Sequence, residues 1–351
     1  MKRFLSILLA AMMLFTVLSL SACGSSGEGE TAGETASTEE EHFVFKIGHM
    51  RAEGSPTDLD VEEFCQKVTE QTNGTIEFEI YPASSLGDYT AMIERMALGD
   101  VDMMLATIGV SLDSRMNCWT IPYLAKNWDE AREIFKDDGL IVQTMSEICL
   151  DNDFRILGTY PMYFGGIALA KEPKADITAM EDQGLKIRIP ATETYEAMAA
   201  TFGFMSTPLN YSDIFTSLQT GVIDGTIGGG AEGYYNEFRD LLKYYLPVND
   251  HFELQFLCVG SSTWDKLSDN QKEVLTTCAA ELEAKRWEDA ETSQANYEQM
   301  LADAGITVME FTDEELAGFA EAVRAAVEPY ARQELGDELY DQIMAEVEAI
   351  A

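Results

Sequence analysis

Arg188 is the residue in this 351-residue chain whose type and setting most directly suggest recognition chemistry. It stands in the phrase GLKIRIP at 184–190, where a short apolar strand would end against Pro190. A guanidinium offers a planar fork of donors that matches a carboxylate bidentately, which a lysine ammonium cannot do. A charge-assisted pair of that kind contributes about 1.5–3 kcal/mol. From the residues alone the alternative stays open: an arginine at an exposed strand end with a surface partner. Thr107 is a second candidate. It follows the apolar run Val101 to Ala106, and ligands of open α/β sheets sit beyond the carboxyl ends of the strands.

Other chemistries find less support. The chain has no GxSxG elbow, no HExxH and no cysteine–histidine pair of recognisable type, which disfavours an exported enzyme. Its three histidines, at 42, 49 and 251, lack metal-ligand spacing, so neither a structural metal nor a cofactor is expected. Cysteines 65, 118, 149, 258 and 278 show no CxxC spacing, and their odd number argues against a complete disulfide set, though a single bridge stays open. Cys65 and Cys258 fall in apolar patterns, as small core residues do. Residues 228–233 (GGGAEG) formally match GxGxxG. No strand–turn–helix unit is expected to open a lobe there and no basic residue follows before Arg239, so a loop under a ligand or a hinge is the better account.

The first residues set the compartment. Met1-Lys2-Arg3, an apolar run from Phe4 to Leu20 and the tetrad Leu20-Ser21-Ala22-Cys23 make a signal peptide over 1–22 with a lipobox, whose Cys23 is acylated after cleavage. Gly24 to His42 carries no large apolar residue and reads as a flexible acidic tether. The expected location is therefore extracytoplasmic, anchored by lipid to the outer face of the cytoplasmic membrane. Removing Lys2 and Arg3 with the signal leaves 21 basic against 62 acidic residues, a net charge of −41. So negative a surface repels phosphate backbones and excludes nucleic acid as a partner.

The elements that must position Arg188 and Thr107 follow an α/β grammar. Val44 to Ile47 is a strand; Ser55-Pro56 opens a helix that Asn73-Gly74 closes. Ile76, Phe78 and Ile80 alternate as a strand, a helix carries Met92, Ile93 and Met96, and Val101 to Ala106 is a buried strand. This succession implies an open parallel sheet. Strands follow at Arg155 to Gly158, Ile167 to Ala170 and Lys186 to Ile189. A helix covers Thr192 to Thr201, another Tyr211 to Thr220, and strands Gly221 to Ile227 and Phe256 to Val259. From Ser268 onward long helices flank Ile306 to Phe311.

Several phrases, in this order, resemble the substrate-binding protein of TRAP transporters of the C4-dicarboxylate-binding type. They are FKIGH at 45–49, TNGTIEFEIYPASSLGD at 72–88, GDVDMM at 99–104, IPYL at 121–124, GLKIRIP, PLNYSDIFTSLQTGVIDG at 208–225 and STWDKLSDNQKEVL at 262–275. The resemblance implies an α/β, periplasmic-binding-protein-like fold with mixed sheets flanked by helices. One lobe would take 43–163 plus about 253–293 and the other 164–252, joined by strands and a long helix, with helices of 294–351 packing across both. It further implies a receptor that closes on a small organic acid and hands it to the membrane subunits of an ion-gradient-driven permease. A sensory lipoprotein feeding a membrane kinase is the alternative.

Residue by residue, the resemblance places Arg188 where the family clamps the ligand carboxylate and Tyr211 where an aromatic lines the cleft. Met50 and Asp88 fall at positions near the ligand. Gly228 stands where relatives carry an asparagine, and Gly165 where some carry a second arginine. Two polar anchors are thus missing, which implies a roomier or less polar cleft that Tyr160, Tyr163, Tyr234 or Tyr235 could fill. A ligand with one carboxylate and an apolar or aromatic body fits these losses better than a sugar acid or a small dicarboxylate.

Overall fold

The computed structural model describes residues 40–350; the signal peptide expected at 1–22, the lipidation expected at Cys23 and the tether up to residue 39 lie outside them. The chain begins β1 (Phe43–His49), α1 (Pro56–Gln71), β2 (Ile76–Tyr81), α2 (Tyr89–Ala97) and β3 (Met103–Ala106). Ser55 caps α1 as its sequence demands, its side chain accepting from the Asp58 N–H with Pro56 in the first turn. Asn73 and Gly74 then turn the chain at φ +52° and +78°.

Next come α3 (Trp128–Ile134), α4 (Leu140–Asp151), β4 (Phe154–Phe164), β5 (Ile167–Leu169), β6 (Lys186–Ile189), α5 (Glu193–Thr201) and β7 (Met205–Pro208). They are followed by α6 (Ile214–Thr220), β8 (Gly225–Ile227), α7 (Gly230–Gly233), β9 (Tyr244–Leu246) and β10 (Phe252–Gly260). The chain ends with α8 (Ser261–Trp264), α9 (Asp269–Asp303), β11 (Thr307–Val308), α10 (Asp313–Leu335) and α11 (Asp337–Ile350).

These strands form two sheets, one of order β2-β1-β3-β10-β4 and one of order β11-β9-β5-β8-β6-β7. β1 pairs in parallel with β2 (Phe43 opposite Ile76) and with β3 (Ile47 opposite Met103). The sheet is nevertheless mixed rather than parallel throughout. β10 returns from the second sheet and enters between β3 and β4, antiparallel to both. In the second sheet β6 runs parallel to β7 and β8, while β5 is antiparallel to β8 and β9. Each sheet buries apolar side chains on both faces: Met104, Trp119 and Phe256 on one side of the first and Phe45, Phe64 and Leu257 on the other.

Three connections cross between the sheets: β4 into β5, β9 into β10, and α9. Gln271 near the start of α9 donates to Thr75 Oγ1 beside the first sheet, and the helix runs 35 residues, about 52 Å at 1.5 Å per residue, to β11 on the second. Its Arg286, buried midway, donates to the carbonyls of Pro161 (2.8 Å) and Met162 (3.3 Å) at the end of β4. The last helices also touch both halves. Phe319, Val323 and Val327 of α10 pack with Phe202, at the end of α5 beside the second sheet, whereas Ala331 and Leu335, with Tyr340 and Ile343 of α11, join the core under Trp119.

Four local readings change. The helix expected over 211–220 starts as a 3-10 turn at Tyr211–Asp213, and the strand expected from Gly221 shrinks to β8 because Gly221, at φ +74°, is the cap of α6. The GxGxxG segment does follow a strand and open a helical turn, against expectation. A Cβ at Gly229 would lie 2.4 Å from the Tyr234 ring, and one at Gly230 2.4 Å from the Tyr163 ring, so tyrosines occupy the space beside this loop. The stretch read as tether is pinned at its end: the Ser268 hydroxyl donates to Glu40 Oε1 (2.5 Å) and the Gln271 amide to the Glu41 carbonyl. The five cysteines among the described residues are free and buried.

Candidate functional site

The parallel strands β6, β7 and β8 bring their carboxyl ends to one edge of the second sheet, and that edge faces the carboxyl ends of β1 and β3. Between them lies a cavity of about 270 Å³. Arg188, on β6, forms part of its wall and is only 2% exposed. Its Nε donates to the Leu209 carbonyl (2.8 Å) and its Nη1 to the Ile227 carbonyl (2.9 Å). Two main-chain oxygens thus fix the plane of the guanidinium. Nη2 makes no hydrogen bond, and no carboxylate comes within 4 Å of the group, among the described residues. A buried cation without an anion is expensive, so this arrangement favours an anion arriving from the cleft.

Gly228 lies beneath that guanidinium. Its φ is +92°, and a Cβ there would stand 3.2 Å from Arg188 Nη1. Glycine therefore supplies both the backbone conformation and the room. Tyr211 follows β7, with its ring 5.9 Å below the Arg188 guanidinium carbon.

The facing wall comes from the first sheet. Met50 follows β1 and Thr107 follows β3; β10 runs the other way, so Glu253 near its start reaches the same edge. The Thr107 hydroxyl donates to Glu253 Oε1 at 2.7 Å. Tyr89, Ile108, Trp119 and Tyr195 make the remaining surface largely aromatic and apolar. Behind Glu253 sits His251, fully buried, its Nδ1 2.7 Å from Asp250 Oδ2 and its Nε2 3.5 Å from Glu253 Oε2. Burial alone would drive this ring neutral, but the two carboxylates outweigh it and push its pKa up to about 10.

Five of the eight expected ligand-side residues line the cavity: Arg188, Tyr211, Thr107, Gly228 and Met50. The other three stand behind the wall. Asp88 precedes α2 and accepts from the Ser212 N–H (3.4 Å), tying the first lobe to the second; burial holds its carboxyl above the usual range. Tyr163 turns its hydroxyl to Arg51 (2.8 Å) and to the Gly228 carbonyl (3.3 Å). Gly165 leaves room for His251, whose ring a Cβ there would approach to 2.2 Å. Nor do Tyr160, Tyr234 or Tyr235 fill the cleft. Tyr160 bonds Asp60, Tyr234 bonds the Gly166 carbonyl, and Tyr235 packs on Tyr297.

Arg51 is the residue that sequence reasoning passed over. It is buried in the cleft wall, donating from Nη1 to the Tyr211 hydroxyl (2.7 Å) and from Nη2 to that of Tyr163. It therefore links the first lobe to the second. Glu237, 3.9 Å from it, has its pKa pushed up to about 7, because burial outweighs the pull of Arg51. Arg51 lies just past the carboxyl end of β1, so the strand-end rule that singled out Thr107 applied equally to it.

Two sheets with a cleft between their carboxyl edges, and a buried cation without an anion in its wall, make the architecture of a two-lobed solute receptor. Residues 47–334 match the family model of bacterial extracellular solute-binding protein family 7, and the chain belongs to that family, the solute-binding proteins of TRAP transporters. It is 27% identical over 296 residues to the sialic acid-binding periplasmic protein SiaP of Vibrio cholerae, spanning 80% of this chain and 86% of that one. Among solved structures it resembles the sugar acid binding protein DctPAm of Advenella mimigardefordensis in complex with galactonate. There the TM-score is 0.82 at 18% identity, covering 89% of this chain and all of that one. A TRAP periplasmic solute binding protein of Desulfovibrio salexigens, solved with orotic acid bound, gives a TM-score of 0.79 at 20% identity, covering 88% and 99%.

Proposed function

We propose that this protein captures a small organic acid outside the cytoplasm by gripping its carboxylate with Arg188, and delivers it to an ion-gradient-driven TRAP permease. Lipid on Cys23 would hold the receptor at the outer face of the membrane. The observation that carries the reading is the buried Arg188 guanidinium, oriented by two carbonyls and left without a carboxylate. Support comes from the relatives: those named above bind sialic acid, galactonate or orotic acid, and each of these is an acid. A thermal-shift screen of monocarboxylates, aromatic acids, dicarboxylates and keto acids identifies a ligand, since binding stabilises only the folded state. Calorimetric titration of that acid into the Arg188→Lys variant then tests the clamp. Lysine keeps the charge and loses the fork, so affinity falls roughly tenfold or more, about 1.4 kcal/mol, in a folded protein. An unchanged affinity places the carboxylate elsewhere.

A further inference from the structure

Glu253 is the one carboxylate in the wall of this cavity, on the side facing Arg188, and an acceptor there has no use for a second acid group on the ligand. Its side chain is 8% exposed. It already accepts from the Thr107 hydroxyl, and the buried His251 behind it is braced by Asp250. Gly165 provides the space for that brace. Arg188 comes from the second sheet and Glu253 from the first, and Tyr89 and Tyr195 line the same cavity with them.

We infer that the cleft selects a monocarboxylate whose far end donates a hydrogen bond, through N–H or O–H, to Glu253, and discriminates against dicarboxylates of the same length. The inference rests on the carboxylate end meeting Arg188, as proposed above. A donor facing Glu253 forms a charge-assisted bond; a second carboxylate there meets a like charge. Specificity then comes from repulsion at one end as much as from attraction at the other. The apolar walls between the ends favour a ring or a short aliphatic body.

Two matched series test this by calorimetry: benzoate, 4-aminobenzoate, 4-hydroxybenzoate and terephthalate, and butyrate, 4-aminobutyrate, 4-hydroxybutyrate and succinate. In the unaltered protein, the donor-bearing members of at least one series bind tenfold or more tighter than its dicarboxylate and its unsubstituted member. The amino and hydroxy arms decide which donor the site uses. Glu253→Gln collapses this preference and improves binding of the dicarboxylate, because the amide can donate. The readout is a ratio between ligands in one variant, so a modest loss of stability does not imitate it. A dicarboxylate that binds as tightly as the donor-bearing acids, or a preference unchanged in Glu253→Gln, overturns the inference. Arg188→Lys separates the two ideas: if it weakens every acid while Glu253→Gln changes no ratio, the carboxylate clamp stands and the donor end falls. If it weakens none, the clamp itself falls.

Discussion

A buried ionic group needs either a partner of opposite charge or a set of fixed dipoles, and three residues around the cleft meet that need differently. Arg51 is held by two tyrosine hydroxyls and the nearby Glu237, Arg188 by two carbonyls with one nitrogen to spare, and His251 by two carboxylates. The last has a consequence for stability. Folding raises the His251 pKa from 6.5 to about 10, so the native state binds the proton more tightly than the unfolded chain. That contribution is complete below pH 6.5 and drains away as pH climbs toward 10. The titratable groups facing the ring are Asp250 and Glu253 on its own segment and Tyr195 from α5. Chemical denaturation at pH 7 and pH 9.5 measures the loss. It should be clearly larger in the unaltered protein than in His251→Gln, whose neutral amide does not titrate; equal losses would mean the imidazolium contributes nothing.

Turns hold the site at the scale of the element, and glycine decides the one beneath Arg188. Gly228→Ala places a side chain at φ +92° and 3.2 Å from the Arg188 guanidinium. It should destabilise the protein by about 1 kcal/mol or more and weaken acid binding as well. Urea melts and calorimetry on the same variant check both, and an alanine that leaves affinity intact would separate this turn from the clamp. The turn also marks how far the sequence could be read. Ser55-Pro56, the alternation of Ile76, Phe78 and Ile80, and the apolar Met103–Ala106 each announce an element locally, and each forms. β7 and β9 escaped because Met205–Pro208 and Tyr244–Leu246 are short and earn their place by pairing with distant strands. Arg188 was legible through strand end, residue type and family phrase together. Glu253 was not, since one acid among 62 acidic residues carries no signal until β10 folds back antiparallel and swings it to the cleft edge. His251 was equally silent, because its partners are set by burial rather than by spacing.

For the whole molecule, the formal net charge of −39 opposes every approaching anion. Salt at 0.15 M confines that field to about 8 Å, whereas at 0.01 M it extends about 30 Å. Stopped-flow association of a net-anionic acid should therefore slow as salt is removed, while a zwitterionic acid of the same size should be nearly indifferent. A flat or rising rate for the anion would show that local charge at the cleft mouth, not the overall surface, governs entry. Two hydrogen bonds already span the two halves, Arg51 on Tyr211 and Ser212 on Asp88. The most direct test of the whole account is a crystal structure of the protein with the acid that stabilises it most. The account predicts a carboxylate oxygen within about 2.7–3.2 Å of Arg188 Nη2, above the Gly228 turn. An acid seated with its carboxylate away from Arg188, that side chain keeping only its bonds to Leu209 and Ile227, would contradict it.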